Sequence, residues 1–125
     1  MCWKILQHKK PDDFVVSTGK QYSVRFFIER CLKFLDIKIK WSGTGLNETA
    51  KVISFDKKKY PHLNKHSVII RISKKYFRPN EVDNLIGDSS KAKRILKWKA
   101  KTTIDQLIEE MLISDLNLAK KNINN

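Results

Sequence analysis

The chain reads as a single α/β domain, and three observations predict it. Apolar residues recur at helical spacing from Val24 to Leu35 and again from Ile104 to Leu118. Short runs rich in β-branched and aromatic residues stand between these helices, bounded by turn residues. Across all 125 residues there is no internal repeat, linker or low-complexity stretch to divide the chain. A chain of this size buries roughly two thirds of its unfolded surface, enough for one modest core.

Met1 to Gln7 reads as the end of a helix, because Trp3 and Leu6 precede Pro11 and no N-cap residue opens the segment. Residues 1–10 are therefore expected to be the tail of an entering helix whose first turns lie upstream. Phe14 to Ser17 is a short apolar run between Pro11-Asp12-Asp13 and Thr18-Gly19, the pattern of a buried strand. Ser23 is a good N-cap for a helix that presents Val24, Phe27, Ile28, Cys31, Leu32 and Leu35 on one face. Ile37, Ile39 and Trp41 alternate with Lys38 and Lys40, the period of a half-exposed strand, which Ser42-Gly43-Thr44-Gly45 ends.

Val52 to Phe55 and Ser67 to Ile72 read as two further short strands, joined by an irregular polar connection over 56–65. Arg78 precedes Pro79 and so must leave helical backbone, which makes Tyr76 to Pro79 a loop. Asn84 to Gly87 is a candidate strand, after which Asp88 or Ser89 caps a helix through Leu96, with Trp98 as an apolar stop. Thr103 and Gln106 form a capping box for the last helix, whose stripe is Ile104, Leu107, Ile108, Met111, Leu112 and Leu118. The tail over 119–125 is expected to fray.

Composition limits the function classes. No apolar run approaches the roughly 20 residues that span a bilayer. The first ten residues are too interrupted for a signal peptide, so a cytoplasmic protein without membrane partners is expected. Cys2 and Cys31 have no C-x-x-C spacing and no matched histidines, so both read as reduced and structural and no metal is expected. The net charge of +13 would attract nucleic acid or phosphorylated ligands. Its lysines are scattered, however, with Lys57-Lys58-Lys59 the nearest thing to a block, whereas nucleic-acid modules cluster arginines and aromatics on one face.

The motifs of a cofactor enzyme fail residue by residue. A G-x-G-x-x-G turn needs its third glycine where Glu48 stands after Gly43 and Gly45, and a carboxylate there repels phosphate. A tyrosine and a lysine one helical turn apart, which lowers the phenol pKa for acid–base work, are missing: Phe26, Asn64 and Asn80 stand four residues after Tyr22, Tyr60 and Tyr76. Neither G-x-S-x-G nor H-E-x-x-H occurs. No catalytic residue is assigned on the chain's own residues.

Two stretches carry a likeness to a known family. Asp13-Phe14-Val15-Val16-Ser17-Thr18-Gly19-Lys20-Gln21-Tyr22-Ser23-Val24-Arg25, and Tyr76-Phe77-Arg78-Pro79-Asn80-Glu81-Val82-Asp83 followed by Gly87-Asp88, resemble GDP-mannose 4,6-dehydratase. Lys91-Ala92-Lys93 with Leu96, Trp98 and Lys99 is similar to the end of many extended short-chain dehydrogenase/reductases. The likeness runs in order over nearly the whole chain. It implies the small C-terminal, substrate-binding part of such an enzyme. The family's N-terminal Rossmann domain, which holds NADP and the catalytic Thr or Ser, Glu, Tyr and Lys, has no counterpart here. A truncated or split enzyme would look like this, its partners being a GDP-sugar such as GDP-mannose and either the missing N-terminal domain or a family homo-oligomer. In the full-length family the reaction converts GDP-mannose to GDP-4-keto-6-deoxymannose. The alternatives are a fragment of a related GDP-4-keto-6-deoxymannose reductase and a small basic nucleic-acid-binding protein.

The resemblance also assigns site residues. The arginine and glutamate of R-P-x-E lie at the diphosphate and ribose in the family, which carries those roles to Arg78 and Glu81. A planar, permanently charged guanidinium suits phosphate oxygens, and a carboxylate accepts from two adjacent hydroxyls. The competing reading pairs Arg78 with Glu81 or Asp83 as a structural ion pair. Lys20 and Tyr22, in a loop after the first expected strand, and Arg25, on the next helix's first turn, are further candidates, with a plain turn and a solvated face as their alternatives. Trp41 and Trp98 read as core. The family usually has Glu where Phe26 stands, so the capping box with Ser23 is lost at a cost of about 1 kcal/mol, and Phe26 is expected beside Arg30 and Phe34.

Overall fold

The computed structural model describes residues 1–78 and 84–123. They form four α-helices, α1 (Cys2–Leu6), α2 (Val24–Phe34), α3 (Ser90–Leu96) and α4 (Ile104–Ile123). Three strands, β1 (Lys38–Ser42), β2 (Thr49–Ser54) and β3 (Val68–Arg71), and short 3₁₀ turns at Gly45–Asn47 and Lys74–Tyr76 complete the elements. Contacts divide the chain into two compact units, Met1–Tyr22 with Val82–Thr103 and Ser23–Glu81 with Ile104–Asn125. The boundaries at 22/23 and 103/104 fall directly before α2 and α4, where the sequence has no glycine- or proline-rich linker to announce them.

In the sheet unit, Ser23 Oγ accepts a hydrogen bond from the Phe26 amide at 3.1 Å, so the N-cap forms as its residue type requires. The packed stripe begins one turn later than the spacing predicts: Val24 is 76% exposed, while Phe27, Ile28, Cys31 and Leu32 are half-buried. The helix ends in a Schellman turn. Asp36 takes left-handed backbone at φ 59, the Ile37 amide donates to the Leu32 carbonyl at 2.9 Å, and the Asp36 amide donates to that of Lys33 at 3.1 Å. Tyr60 Oη donates to the Leu35 carbonyl at 3.0 Å, satisfying another group at this helix end.

That reversal feeds β1 into an antiparallel sheet of order β1-β2-β3. Ile39 sits opposite Val52 and Trp41 opposite Ala50, so the alternation read from the sequence puts these side chains on one face. Ala50 and Val52 are fully buried there, and α2 packs on β1 and on α4. The β1–β2 connection needs glycine at Gly43: φ is +81, and a Cβ would lie 2.3 Å from the Asn47 carbonyl oxygen. Among the described side chains of α4, Ile104, Ile108 and Leu112 turn inward, an i, i+4, i+8 line. Leu107, Met111 and Leu118, expected on the same stripe, are exposed. The helix runs on through Ile123, past the start of the predicted frayed tail.

The first unit contains no strand among its described residues. Phe14–Ser17 and Asn84–Gly87, both read as strands, are irregular, and Val15, Val16, Leu85 and Ile86 are exposed. Their β-branched composition suits a sheet, but the bonds holding them run from side chain to backbone rather than along a ladder. Helix α3 has Ser89 at its N-cap position with no side-chain cap bond; Asp88 Oδ1, one residue earlier, accepts from the Ser90 amide at 2.8 Å, and the helix buries Ala92 and Leu96.

Candidate functional site

The first stretch that carries the family likeness meets the end of the second, around Leu85 and Gly87, in the first unit. Ser17 Oγ donates to the Gly87 carbonyl at 2.6 Å, and the Leu85 amide donates to Gln21 Oε1 at 3.1 Å. The approach is close enough to require glycine: a Cβ on Gly87 would stand 2.8 Å from the Ser17 Cβ. Between these braces the chain turns at Gly19, φ +70, and Thr18 Oγ1 bonds both the amide and the carbonyl of Lys20 at 3.2 Å. Lys20 and Tyr22 are thus presented on an exposed turn whose two flanks are fixed from far along the chain.

Arg25 is committed elsewhere. Its Nη2 pairs with Glu48 Oε1, and its guanidinium lies over the Trp41 ring at 4.8 Å from the centroid. Trp41 Nε1 in turn donates to Glu29 Oε1 at 2.8 Å. The result is a chain of charge and ring from α2 across the β1–β2 hairpin, in place of the solvated charge that was the alternative to a site role for Arg25. Glu48 and Glu29 were not singled out as its partners, because only the strand register brings positions 25, 29, 41 and 48 together.

Phe26, as expected, has Arg30 beside it, with the guanidinium 5.0 Å from the ring centroid. The same arginine reaches Asp105 on α4 at 3.6 Å. Trp41 and Trp98 are both half-buried.

Arg78 is exposed, two residues after the Lys74–Tyr76 turn, and Phe77 before it is extended at φ −71, ψ 126. Glu81 lies outside the described residues, as do Pro79 and Asp83 and hence the competing ion pairs. Arg78 belongs to the span of the sheet unit, and Lys20 and Tyr22 to the first unit.

Electrostatics elsewhere serve structure. The Lys91 ammonium, 2.6 Å from Asp12 Oδ1, holds the Asp12 carboxyl below its ordinary range, helped by the Asp13 amide. Hydrogen bonds from the Ser90 side chain and amide do the same for Asp88 at the start of α3. Burial pushes the Cys31 thiol up, away from the reactive thiolate. Among the described residues no group of three His, Cys, Asp or Glu could hold a metal ion, and no helix is long and apolar enough to cross a membrane.

The Gly43-Thr44-Gly45 turn does not fit a dinucleotide. It joins two antiparallel strands instead of leading a strand into a helix, and Glu48 beyond it is paired with Arg25.

Comparison with known proteins identifies the kind of chain that has this geometry. Residues 1–111 match the family model described as GDP-mannose 4,6 dehydratase. The GDP-mannose 4,6-dehydratase of Vibrio cholerae is 41% identical over 121 residues, which cover 97% of this chain and 32% of the relative. The GDP-mannose 4,6 dehydratase of Dictyostelium discoideum is 40% identical over 94% of this chain and 30% of its own length. The human protein of that name is 37% identical, covering 98% of this chain and 30% of its own. This chain therefore spans about a third of the length of these curated relatives.

Proposed function

This chain belongs to the GDP-mannose 4,6-dehydratase family, and on that premise we propose that it is the GDP-sugar-binding, C-terminal portion of such an enzyme. The observation that carries the reading is the exposed Arg78 beside Pro79, in a chain similar to the dehydratases along nearly all its length. In this reading the Arg78 guanidinium grips the nucleotide diphosphate through charge-assisted hydrogen bonds, and Glu81 accepts from the ribose hydroxyls. The exposed turn carrying Lys20 and Tyr22 is a second contact surface for the same ligand, and Arg25 a positioning residue that holds the hairpin through Glu48.

The chemistry assigned to the whole enzyme is conversion of GDP-mannose to GDP-4-keto-6-deoxymannose, for which NADP supplies reversible hydride transfer. This chain's share is binding and orientation. In this reading the acid–base pair and the NADP site lie in the family's Rossmann domain, which this portion meets in a cytoplasmic enzyme.

Calorimetric titration with GDP-mannose, GDP and mannose 1-phosphate tests the reading. The expected result is saturable binding of the two nucleotides, weakened at least about tenfold by Arg78→Ala, equivalent to about 1.4 kcal/mol. Equal binding of GDP-mannose by the wild-type chain and Arg78→Ala would remove Arg78 from the site. No binding of either nucleotide by a folded chain would remove the role.

A further inference from the structure

We propose that the pocket at the C-terminal end of α3 is a binding site for a small, multiply phosphorylated anion. It encloses about 530 Å³ and is lined by Lys4, Lys93, Lys97, Trp98, Lys99 and Lys101. That volume falls within the range of small-molecule sites. Its lining residues are five lysines and one half-buried tryptophan, with no carboxylate among them.

The fold brings these lysines together. Helix α3 ends at Lys97, whose φ of 49 puts a side-chain-bearing residue in the left-handed position that glycine usually fills. The chain reverses there, and the Trp98 amide returns to the Ala92 carbonyl at 3.4 Å. Lys99 and Lys101 follow on the outgoing strand of chain, while Lys93 comes from α3 itself. Lys4 arrives from α1 and is fixed, its Nζ donating to the Leu96 carbonyl at 3.0 Å and to that of Lys97 at 3.2 Å. One wall of the pocket is thus built by tertiary bonds rather than by a loose surface side chain.

Five lysines around one cavity repel one another, and no carboxylate among its lining residues offsets their charge. Among the unit's described carboxylates, Asp12 and Asp88 are engaged elsewhere, by Lys91 and by the start of α3, and Asp13 is not among the lining residues. A ligand carrying several phosphates relieves that repulsion at several points at once. Lysines act as point charges and place no demand on a planar, bidentate partner, which favours clustered phosphates over a single carboxylate. A single-stranded nucleic acid would call for aromatics repeated along a track. Here the cations converge on one cavity around one indole. The site lies in the first unit and does not rest on the assignment of Arg78.

Titration of the full chain with inorganic tripolyphosphate at physiological ionic strength tests this. The expected result is saturable binding, weakened at least about tenfold by Lys93→Gln with Lys99→Gln. Lys58→Gln with Lys65→Gln, an equal change of charge outside the pocket, should alter affinity less than about twofold. Far-UV circular dichroism verifies the fold of each variant, and Lys101→Gln alone, beyond α3, supplies a milder loss of about threefold if the paired change perturbs the helix. Equal weakening by the pocket and control pairs would overturn the proposal, because net charge alone would then account for binding. So would the absence of saturable binding, or binding of a single-stranded oligonucleotide by a chain that ignores tripolyphosphate.

Discussion

The two units of this chain reach order by different means. In the sheet unit, local pattern and tertiary role coincide: the Ile37–Trp41 alternation becomes β1, the Ser23 signal becomes a cap, and Ile37, Ala50, Val52 and Ile108 close a core. In the first unit the apolar runs around Val15 and Leu85 stay exposed and irregular. Beside the buried Ala92 and Leu96 of α3, order there comes from a few hydrogen bonds and an ion pair joining residues 64 to 93 positions apart, as from Gln21 to Leu85, Ser17 to Gly87, Asp12 to Lys91 and Lys4 to Lys97. Hydrophobic period identifies the first kind of unit and is silent on the second.

The contrast predicts a graded response to substitution. Ile108→Ala, at a side chain 2% exposed, should cost about 2–5 kcal/mol in urea unfolding monitored by far-UV circular dichroism. A loss below about 1 kcal/mol would mean that the sheet unit has no cooperative core. In the first unit, Gly87→Ala drives a methyl into Ser17 and should cost about 1–3 kcal/mol, with the rise in amide exchange concentrated at 17–21 and 84–87. Exchange unchanged in those segments would remove the brace between the two stretches.

A smaller effect is expected at the cap. Ser23→Ala should destabilise α2 by about 1 kcal/mol, and Ser23→Asp should restore most of it. The gentlest test is pH. Asp12 has its folded pKa lowered below 3.8, so the stability it contributes is complete above the ordinary carboxylate range and is lost as pH falls through the lowered value. Acid titration should therefore loosen the Asp12–Lys91 link below about pH 4, and Asp12→Asn should remove that part of the dependence.

What the sequence could not reveal follows from the same physics. Helix α2, the β1 alternation and the start of α3 at Asp88–Ser89 were legible because their determinants lie within a few residues. The Schellman turn at Asp36 escaped because an aspartate occupies the left-handed position where glycine would have signalled it. Phe14–Ser17 read as a strand because composition reports what a segment suits and not whether a ladder partner arrives. The Arg25–Glu48 pair depends on hairpin register, and the lysine pocket on the meeting of α1 with the end of α3. The antiparallel order of the sheet was equally beyond reach of a pattern read one element at a time. The family likeness succeeded where these failed, since it rests on residues in order rather than on local preference.

Two arginines let the central claim be tested against its own control. Arg25 spends its charge on Glu48, whereas Arg78 stands exposed beside Pro79. The most direct measurement is GDP-mannose affinity for Arg78→Ala and Arg25→Ala side by side, with unfolding followed on the same samples. The account predicts that Arg78→Ala loses affinity at least about tenfold with stability unchanged, while Arg25→Ala keeps affinity within about twofold and loses up to about 1 kcal/mol of stability. The reverse ranking, or equal affinity in both variants, would contradict it.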